Sequence, residues 1–198
     1  MAEKVKEVID ALKLEKINLL GHSLGGYVSL AFAENFPEIL ESMTLFFSTT
    51  VADDEEKKAI RRRSIAVIDE NFETFIKTSI PNLFSNNEKD ILEGKIELAK
   101  NIAKSTNKEG VKAAQLGMAE RPDRTEILEN LDAKILIIAG KYDNAVKTEN
   151  LLKTIPEKTN IKTYVLDCGH NGHWEKPTIC AEIINTELLH NLPKHFLL

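Results

Sequence analysis

Three polar residues are the candidates for chemistry in this sequence. Ser23 lies at the centre of the motif Gly-His-Ser-Leu-Gly over residues 21–25, and Asp143 and His170 follow much later in the chain. A serine hydroxyl is a weak nucleophile at neutral pH, so it needs a neighbouring base that a carboxylate holds in place. Serine, histidine and aspartate are the residue types that this chemistry requires. They can act as a unit only if the fold brings them together.

The sequence around Ser23 predicts a sharp turn between a strand and a helix. The apolar run Ile17–Leu20 precedes the motif, and the segment Tyr27–Asn35, rich in Ala and Leu, follows it with helical character. A serine in such a turn has a strained backbone that exposes its hydroxyl above the sheet, and a small neighbour such as Gly26 leaves room for it. The N-terminus of the following helix also favours negative charge that develops at the serine.

Strands and helices alternate through most of the chain, which predicts a parallel α/β sheet with helices on both faces. The predicted strands are four short apolar runs, the last with the alternation of an edge strand: Ile17–Leu20, Met43–Phe47, Ile135–Ala139 and Ile161–Leu166. The predicted helices around them are Val5–Leu12, Tyr27–Asn35, Thr148–Ile155 and Thr178–His190. Asp143 follows the third strand and His170 the fourth, so both belong to the same carboxyl edge of the sheet as Ser23.

One long segment interrupts this alternation. Between residues 51 and 131 the patterns are helical only, over Asp53–Glu70, Phe72–Ile80, Glu88–Lys104 and Lys108–Ala119. Such an insertion above the carboxyl edge of a sheet is typical of a lid over a ligand site. We therefore predict an incomplete α/β core over residues 1–50 and 132–198 and a helical cap over residues 51–131. The charged stretch 53–63 within the cap is interpreted as a solvated helix face.

These features resemble the α/β-hydrolase superfamily, in its small form with a lid. The resemblance lies in three segments in the order serine, aspartate, histidine: Gly21-His22-Ser23-Leu24-Gly25-Gly26, Ala139-Gly140-Lys141-Tyr142-Asp143, and Gly169-His170 followed by Glu175-Lys176-Pro177. It implies Ser23 as nucleophile, His170 as general base and then acid, and Asp143 as the residue that orients His170. It also implies that the backbone N–H of Leu24 is one donor to the oxyanion. The implied fold is a partial α/β-hydrolase sheet of about four strands with an inserted helical cap.

The activity that the resemblance implies is that of a carboxylesterase-like serine hydrolase. Ser23 would form an acyl-enzyme with an ester-like carbonyl group of a small, partly apolar substrate, and no cofactor is implied. Serine at the nucleophile position argues against the dehalogenase and epoxide-hydrolase branches, which carry aspartate there. Esterases, thioesterases, C–C bond hydrolases, perhydrolases and some peptidases remain open. The candidates for lining the substrate pocket are His22, Phe47, His173 and Trp174.

The start of the chain departs from the pattern of this superfamily. Its members carry several strands and a loop of His-Gly type before the helix at Val5–Leu12, and that loop supplies a second oxyanion donor. We expect about the first quarter of the domain to be absent, and loss of one such donor costs roughly 3–4 kcal/mol of transition-state stabilisation. The first strand then becomes an exposed apolar edge, which predicts self-association.

Composition excludes several other classes of protein. The 198 residues include 26 Lys and Arg against 31 Asp and Glu, a net charge of −5, which argues against nucleic acid as a partner. No apolar run approaches the roughly 18 residues of a membrane span, and the first residues have no secretory signal. Two cysteines, Cys168 and Cys180, are too few for a disulfide framework. They fit a reducing compartment, so we expect a cytoplasmic protein with a small-molecule substrate.

Two other functions are compatible with the sequence. The chain could be a non-catalytic or partner-completed binding module, which the expected absence of the oxyanion loop favours. It could also be a metal-dependent hydrolase with Cys168, His170 and His173 as ligands, although zinc sites usually show tighter pairs such as C-x₂-C or H-x₃-H. We expect no metal site and interpret Cys168 as a small buried residue at a strand end.

Overall fold

A parallel four-stranded sheet forms the centre of the structure, a computed structural model that describes residues 1–189. The strands lie side by side in chain order: β1 (Ile17–His22), β2 (Leu40–Phe46), β3 (Lys134–Gly140) and β4 (Ile161–Leu166). All three pairings between neighbouring strands are parallel. The predicted parallel α/β sheet of about four strands is therefore confirmed, with β4 at one edge as expected.

The helices of the described residues precede β1, connect the strands and follow β4. They are α1 (Ala2–Ala11), α2 (Leu24–Asn35), α3 (Glu55–Glu70), α4 (Phe72–Ser79), α5 (Lys89–Lys104), α6 (Lys108–Glu120), α7 (Glu126–Asn130), α8 (Thr148–Leu152), α9 (Gly172–Glu175) and α10 (Pro177–Ile184). Short 3₁₀ turns lie at Pro37–Ile39, Ile80–Leu83 and Asn86–Glu88, and a π-helical turn at Asn185–Leu189 follows α10. The last helix was predicted to reach His190, which lies outside the described residues.

Strand β3 shows why helices are needed on both faces of the sheet. Successive side chains of a strand point to opposite faces. Ile135 and Ile137 belong to one buried cluster, with side chains from α1, α2, α7 and α8. Leu136 and Ile138 belong to another, with side chains from β2 and α10. At β3, both faces of the sheet are thus apolar and covered, as is typical of the inner strands of parallel sheets.

The chain between β2 and β3 is helical throughout its regular structure, as predicted for residues 51–131. Helix α3 packs against α4 and α6. Phe84, Leu92 and Ile96 form a small buried cluster of their own in this segment. We call residues 51–131 the cap segment, and its division from the rest of the chain as a separate domain stays a prediction.

Strand β1 forms the other edge of the sheet, since among the described residues it pairs with β2 alone. Leu20 of this strand is 38% exposed, and Val8 of α1 and Leu12, which directly follows that helix, are also exposed apolar residues. The unpaired N–H and C=O groups of an edge strand can accept a further strand. The self-association predicted from the sequence stays a prediction.

Truncation of a β3 side chain tests the assignment of the core. Ile137 is fully buried, so Ile137→Ala should lower the free energy of unfolding by about 2–5 kcal/mol, because it leaves a cavity. The matched control is Val165→Ala on β4, whose side chain is 45% exposed and whose loss should cost less than about 1 kcal/mol. Urea denaturation measures both. Equal losses would contradict the placement of Ile137.

Self-association through β1 has a simple test. We expect light scattering after size-exclusion chromatography to show oligomers whose proportion rises with concentration, and Leu20→Lys to reduce them, because a charge on an edge strand disfavours pairing. Ile91→Lys is the matched control, since Ile91 is an exposed apolar residue of α5. A monomer at all concentrations that binds no dye for apolar surface would overturn this prediction.

Candidate active site

Ser23 occupies a strained turn between β1 and α2. Its φ is 51° and its ψ is −114°, a conformation that residues other than glycine rarely adopt. The Ser23 N–H donates to the Phe46 carbonyl at 3.0 Å, and the Ser48 hydroxyl donates to the Ser23 carbonyl at 2.8 Å. A Cβ atom at Gly21 would collide with the backbone of Gly25, so the turn also requires glycine there. The end of β2 therefore holds Ser23 in the strained turn that was predicted.

The structure brings Ser23, His170 and Asp143 into one line of contacts. The Ser23 Oγ lies 2.7 Å from His170 Nε2, and His170 Nδ1 lies 2.8 Å from Asp143 Oδ2. The side chains of His170 and Asp143 are 3% and 1% exposed. In this arrangement the serine hydroxyl donates to one ring nitrogen, while the other ring nitrogen donates to the carboxylate. The geometry is that of a nucleophile, its base and an orienting carboxylate.

The Asp143 carboxylate is fixed by its own loop. Its Oδ1 accepts hydrogen bonds from the N–H groups of Ala145, at 2.7 Å, and Val146, at 2.8 Å. Aspartate side chains commonly bond to the backbone two residues further on in such turns. Because Oδ1 is occupied in this way, Oδ2 is left to face His170.

The loop that carries His170 crosses the end of β3 to reach Ser23. Ser23 follows β1 and His170 follows β4, three strands away, which is about 14 Å at the usual strand spacing. A Cβ atom at Gly140, the last residue of β3, would collide with the Gly169 carbonyl. The His170 carbonyl then accepts a hydrogen bond from His22 Nε2 at 3.1 Å. Glycine at the end of β3 thus lets the loop pass closely enough for His170 to meet Ser23.

Leu24 is the first residue of α2, directly after Ser23. The first N–H groups of a helix have no acceptor within the helix, and they carry the positive end of its dipole. The N–H of Leu24 therefore lies where negative charge formed beside Ser23 would be stabilised.

Burial keeps His22 neutral. Its ring lies 5.3 Å from that of His170 and 4.6 Å from that of His173, measured between centroids. The pKa of His22 is lowered to about 4, mainly by burial and in part by the charges of His170 and His173. The hydrogen bond to the His170 carbonyl and the charge of Asp143 oppose this shift. Near neutral pH, His22 is therefore uncharged and donates a hydrogen bond to the carbonyl of His170.

The four predicted pocket residues fall into two groups. His22, Phe47 and His173 lie together beside His170; Phe47 is fully buried, and burial lowers the pKa of His173. Trp174 packs against the apolar cluster of the cap segment as well, with its ring centroid 6.3 Å from that of Phe84 and 6.3 Å from that of His173. Their contact with a substrate stays a prediction.

The residues considered as metal ligands have other surroundings. Within residues 1–189, no group of three or more His, Cys, Asp or Glu side chains is placed to hold a metal ion. Both ring nitrogens of His170 are engaged by Ser23 and Asp143. Cys168 is fully buried, as expected, and burial raises the pKa of its thiol, which disfavours the thiolate that binds metals. This geometry gives no support to a site formed by Cys168, His170 and His173.

Comparison with known proteins decides the family. A family model described as the alpha/beta hydrolase fold matches residues 1–177. The chain belongs to the α/β-hydrolase family. A thermophilic esterase from Thermogutta terrifontis is 32% identical to it, with a TM-score of 0.84 over 93% of this chain and 69% of the esterase. An enol-lactonase from Burkholderia xenovorans LB400, 17% identical, has a TM-score of 0.82 over 93% of this chain and 70% of the lactonase, and it supports the fold alone.

This α/β hydrolase is shorter than a curated relative that it matches. The 2-hydroxy-6-oxononadienedioate/2-hydroxy-6-oxononatrienedioate hydrolase of Escherichia coli O139:H28 is 26% identical over 182 residues. The match covers 88% of this chain and 62% of the relative, so the chain spans less than two thirds of that protein. Separately, no helix among residues 1–189 has the length and apolar character needed to span a membrane.

The interpretation of the charged stretch 53–63 as a solvated face was wrong for Asp53. Its side chain is 1% exposed, and it accepts hydrogen bonds from Arg61 and from Arg121, a residue 68 positions further on. Burial opposes ionisation of Asp53, but the hydrogen bonds and the charges of the two arginines together hold the pKa of the carboxyl below its usual value. The two arginines that bury Asp53 come from separate helical segments, a contact that local charge spacing does not reveal.

Glu175 is another buried carboxylate of this α/β hydrolase, and the sequence analysis included it only as part of a family motif. It accepts hydrogen bonds from the N–H of Gly169 at 3.0 Å and from the N–H of Ser85 at 3.2 Å. Burial raises the pKa of Glu175, while these two N–H groups lower it. Glu175 therefore joins the loop before His170 to the cap segment.

The low pKa of His22 predicts a pH-dependent stability. Because the unfolded residue has a pKa near 6.5 and the folded one near 4, the unfolded chain binds more protons between these values. The free energy of unfolding should be highest above about pH 6.5 and fall as the pH falls towards 4. In His22→Gln, which keeps a donor for the His170 carbonyl, the fall should be smaller. Urea denaturation at about pH 7 and about pH 5 measures the difference; identical falls in both proteins would contradict the burial of a neutral His22.

Proposed function

We propose that this chain is a serine hydrolase that cleaves an ester-like carbonyl bond through an acyl-enzyme on Ser23. The observation that carries the proposal is the line of contacts from Ser23 Oγ through His170 to Asp143, at 2.7 and 2.8 Å. A serine becomes a nucleophile when a base takes its proton and a carboxylate orients that base. Membership of the α/β-hydrolase family, with relatives named as esterase and hydrolase, supports the same class of reaction.

Acylation follows from the positions of these atoms. The Ser23 Oγ attacks the substrate carbonyl carbon while His170 Nε2 takes the hydroxyl proton. Asp143 accepts the hydrogen bond from Nδ1 and stabilises the resulting imidazolium. The N–H of Leu24 donates to the oxygen on which negative charge develops, aided by the N-terminal dipole of α2. His170 then gives its proton to the leaving group, and the bond between that group and the carbonyl carbon breaks.

Deacylation uses the same residues in reverse. His170 Nε2 takes a proton from a water molecule, whose oxygen attacks the acyl carbon on Ser23. The proton then returns to Ser23 Oγ as the acyl–oxygen bond breaks, which releases the acid and restores the hydroxyl. No step requires a cofactor.

The substrate is proposed to be a small, partly apolar carboxylic ester. The thermophilic esterase, at 32% identity, supports this choice among the reactions of the family. We assign residues 51–131 as a cap domain that shapes the pocket above the α/β core of residues 1–50 and 132–198, with His22, Phe47, His173 and Trp174 near the substrate. The two free, buried cysteines support a cytoplasmic location.

A second candidate function is a binding module that a partner completes. The observation that favours it is the edge of β1, which pairs only with β2 within the described residues. Such a module would not require an activated Ser23. Reactivity of Ser23 therefore separates the two functions.

A fluorophosphonate probe tests the proposed hydrolase directly. We expect the probe to modify the chain covalently at Ser23, and Ser23→Ala to abolish the modification because the nucleophile is lost. Asp143→Asn should slow it by roughly 10³–10⁴-fold, because His170 loses the carboxylate that orients it. Intact-protein mass spectrometry measures the extent, and peptide mapping locates the modified residue.

Ser64→Ala is the matched control, since Ser64 lies on α3 and donates only to the Ile60 carbonyl. It should react at the wild-type rate. Modification that persists in Ser23→Ala would disprove the assigned nucleophile. A folded wild-type chain that is not modified would instead favour the binding module.

A further inference from the structure

The first turn of α3 lies against the loop that carries Asp143. Asp54 caps this helix, and its carboxylate accepts the N–H of Lys57 at 2.8 Å. This cap fixes the backbone of Lys57 in the first turn. From there its ammonium donates to the carbonyl of Ala145, at 2.6 Å, across 88 positions in sequence. A residue of the cap segment thus contacts the Asp143 loop directly.

The surroundings of Lys57 explain why its ammonium turns to this carbonyl. Asp53 lies nearby, but its two carboxylate oxygens already accept from Arg61 and Arg121. The Lys57 Nζ remains 3.7 Å from Asp53 Oδ1, longer than a hydrogen bond. The charged groups that face Lys57 are therefore Asp53, the two guanidinium groups and, beyond the loop backbone, Asp143. The Ala145 carbonyl is its closest acceptor.

The Ala145 carbonyl belongs to the same peptide group as the N–H of Val146. That N–H donates to Asp143 Oδ1 at 2.8 Å, and Asp143 Oδ2 faces His170. A cation on the oxygen of a peptide group makes its N–H a stronger donor, because hydrogen bonds in a chain polarise one another. An uninterrupted line of hydrogen bonds therefore runs from Lys57 through one peptide group to Asp143, and from there to His170 and Ser23.

We propose that Lys57 is a positioning residue for the reaction, which it supports by holding and polarising the peptide group that binds Asp143. This inference rests on the proposed serine hydrolase. Lys57 contacts neither the reacting atoms nor His170, so its whole effect must pass through the Asp143 loop. The cap segment then has a part in the chemistry as well as in the choice of substrate.

The experiment compares four single variants with the wild-type chain. For each protein it measures two quantities: the rate constant of fluorophosphonate modification at saturating probe, and the probe concentration that gives half of that rate. Lys57→Met removes the ammonium and keeps the apolar stem. It should lower the rate constant about tenfold, because small displacements of a catalytic group are costly, and leave the half-saturation concentration unchanged. Lys57→Arg keeps a charged donor and should stay within about threefold of wild type. Lys58→Met, which removes only an exposed pair with Glu55, should match wild type.

The fourth variant, Asp143→Asn, separates positioning from simple loss of structure. If Lys57 acts through the carboxylate, adding Lys57→Met to Asp143→Asn should change the rate constant by less than about twofold. Mass spectrometry over days measures these slow reactions. A loss of the same size in both backgrounds would show a general structural effect and overturn the inference.

The remaining outcomes are equally distinct. A Lys57→Met protein that reacts as fast as wild type would overturn the inference and leave the proposed hydrolase intact. Loss in Lys57→Arg as large as in Lys57→Met would also overturn it, since the charged donor would then have no role. A folded wild-type chain without modification would overturn the proposed function, and this inference with it.

Discussion

The proposed chemistry depends on one backbone conformation, the left-handed φ of 51° at Ser23. A non-glycine residue in such a region costs on the order of 1–3 kcal/mol. A hydrogen bond to Phe46, the last residue of β2, and one from Ser48, two residues beyond it, hold Ser23 there. The strain can persist only while β1 and β2 are paired. The exposed hydroxyl is therefore a property of the sheet, and the five-residue motif alone could not produce it.

The candidate site also depends on how the chain spans the distance between Ser23 and His170. The parallel sheet places Ser23, Asp143 and His170 at one edge but on different strands, and His170 must return across β3. The collision that a side chain at Gly140 would make shows how closely the loop passes. Glu175 and His22 then hold the loop from either side, through the Gly169 N–H and the His170 carbonyl. Close backbone approach at the end of β3 is thus as necessary to the candidate site as the three side chains that form it.

The strands, and the meeting of Ser23, His170 and Asp143, could be predicted because the signals for them are local. Apolar runs mark the strands, and Asp143 and His170 directly follow two of them. The burial of Asp53 could not be predicted, because Arg121 meets it from 68 residues away and only packing reveals the contact. The hydrogen bond from Lys57 to the Ala145 carbonyl could not be predicted either. The sequence of a charged helix does not indicate whether one of its lysines faces solvent or a loop. Local sequence patterns identify the side chains that meet at the strand ends, while contacts between distant segments decide what holds them in place.

Strand β3 is shared by both layers of the protein, with alternate side chains in two separate apolar clusters. Loss of either helical layer would expose the same strand to water, so neither layer can open while the other keeps its full stability. Cooperative unfolding of the whole sheet is the physical result. Because Asp143 follows β3, a chain in which this strand has unfolded would also lose the contact between Asp143 and His170.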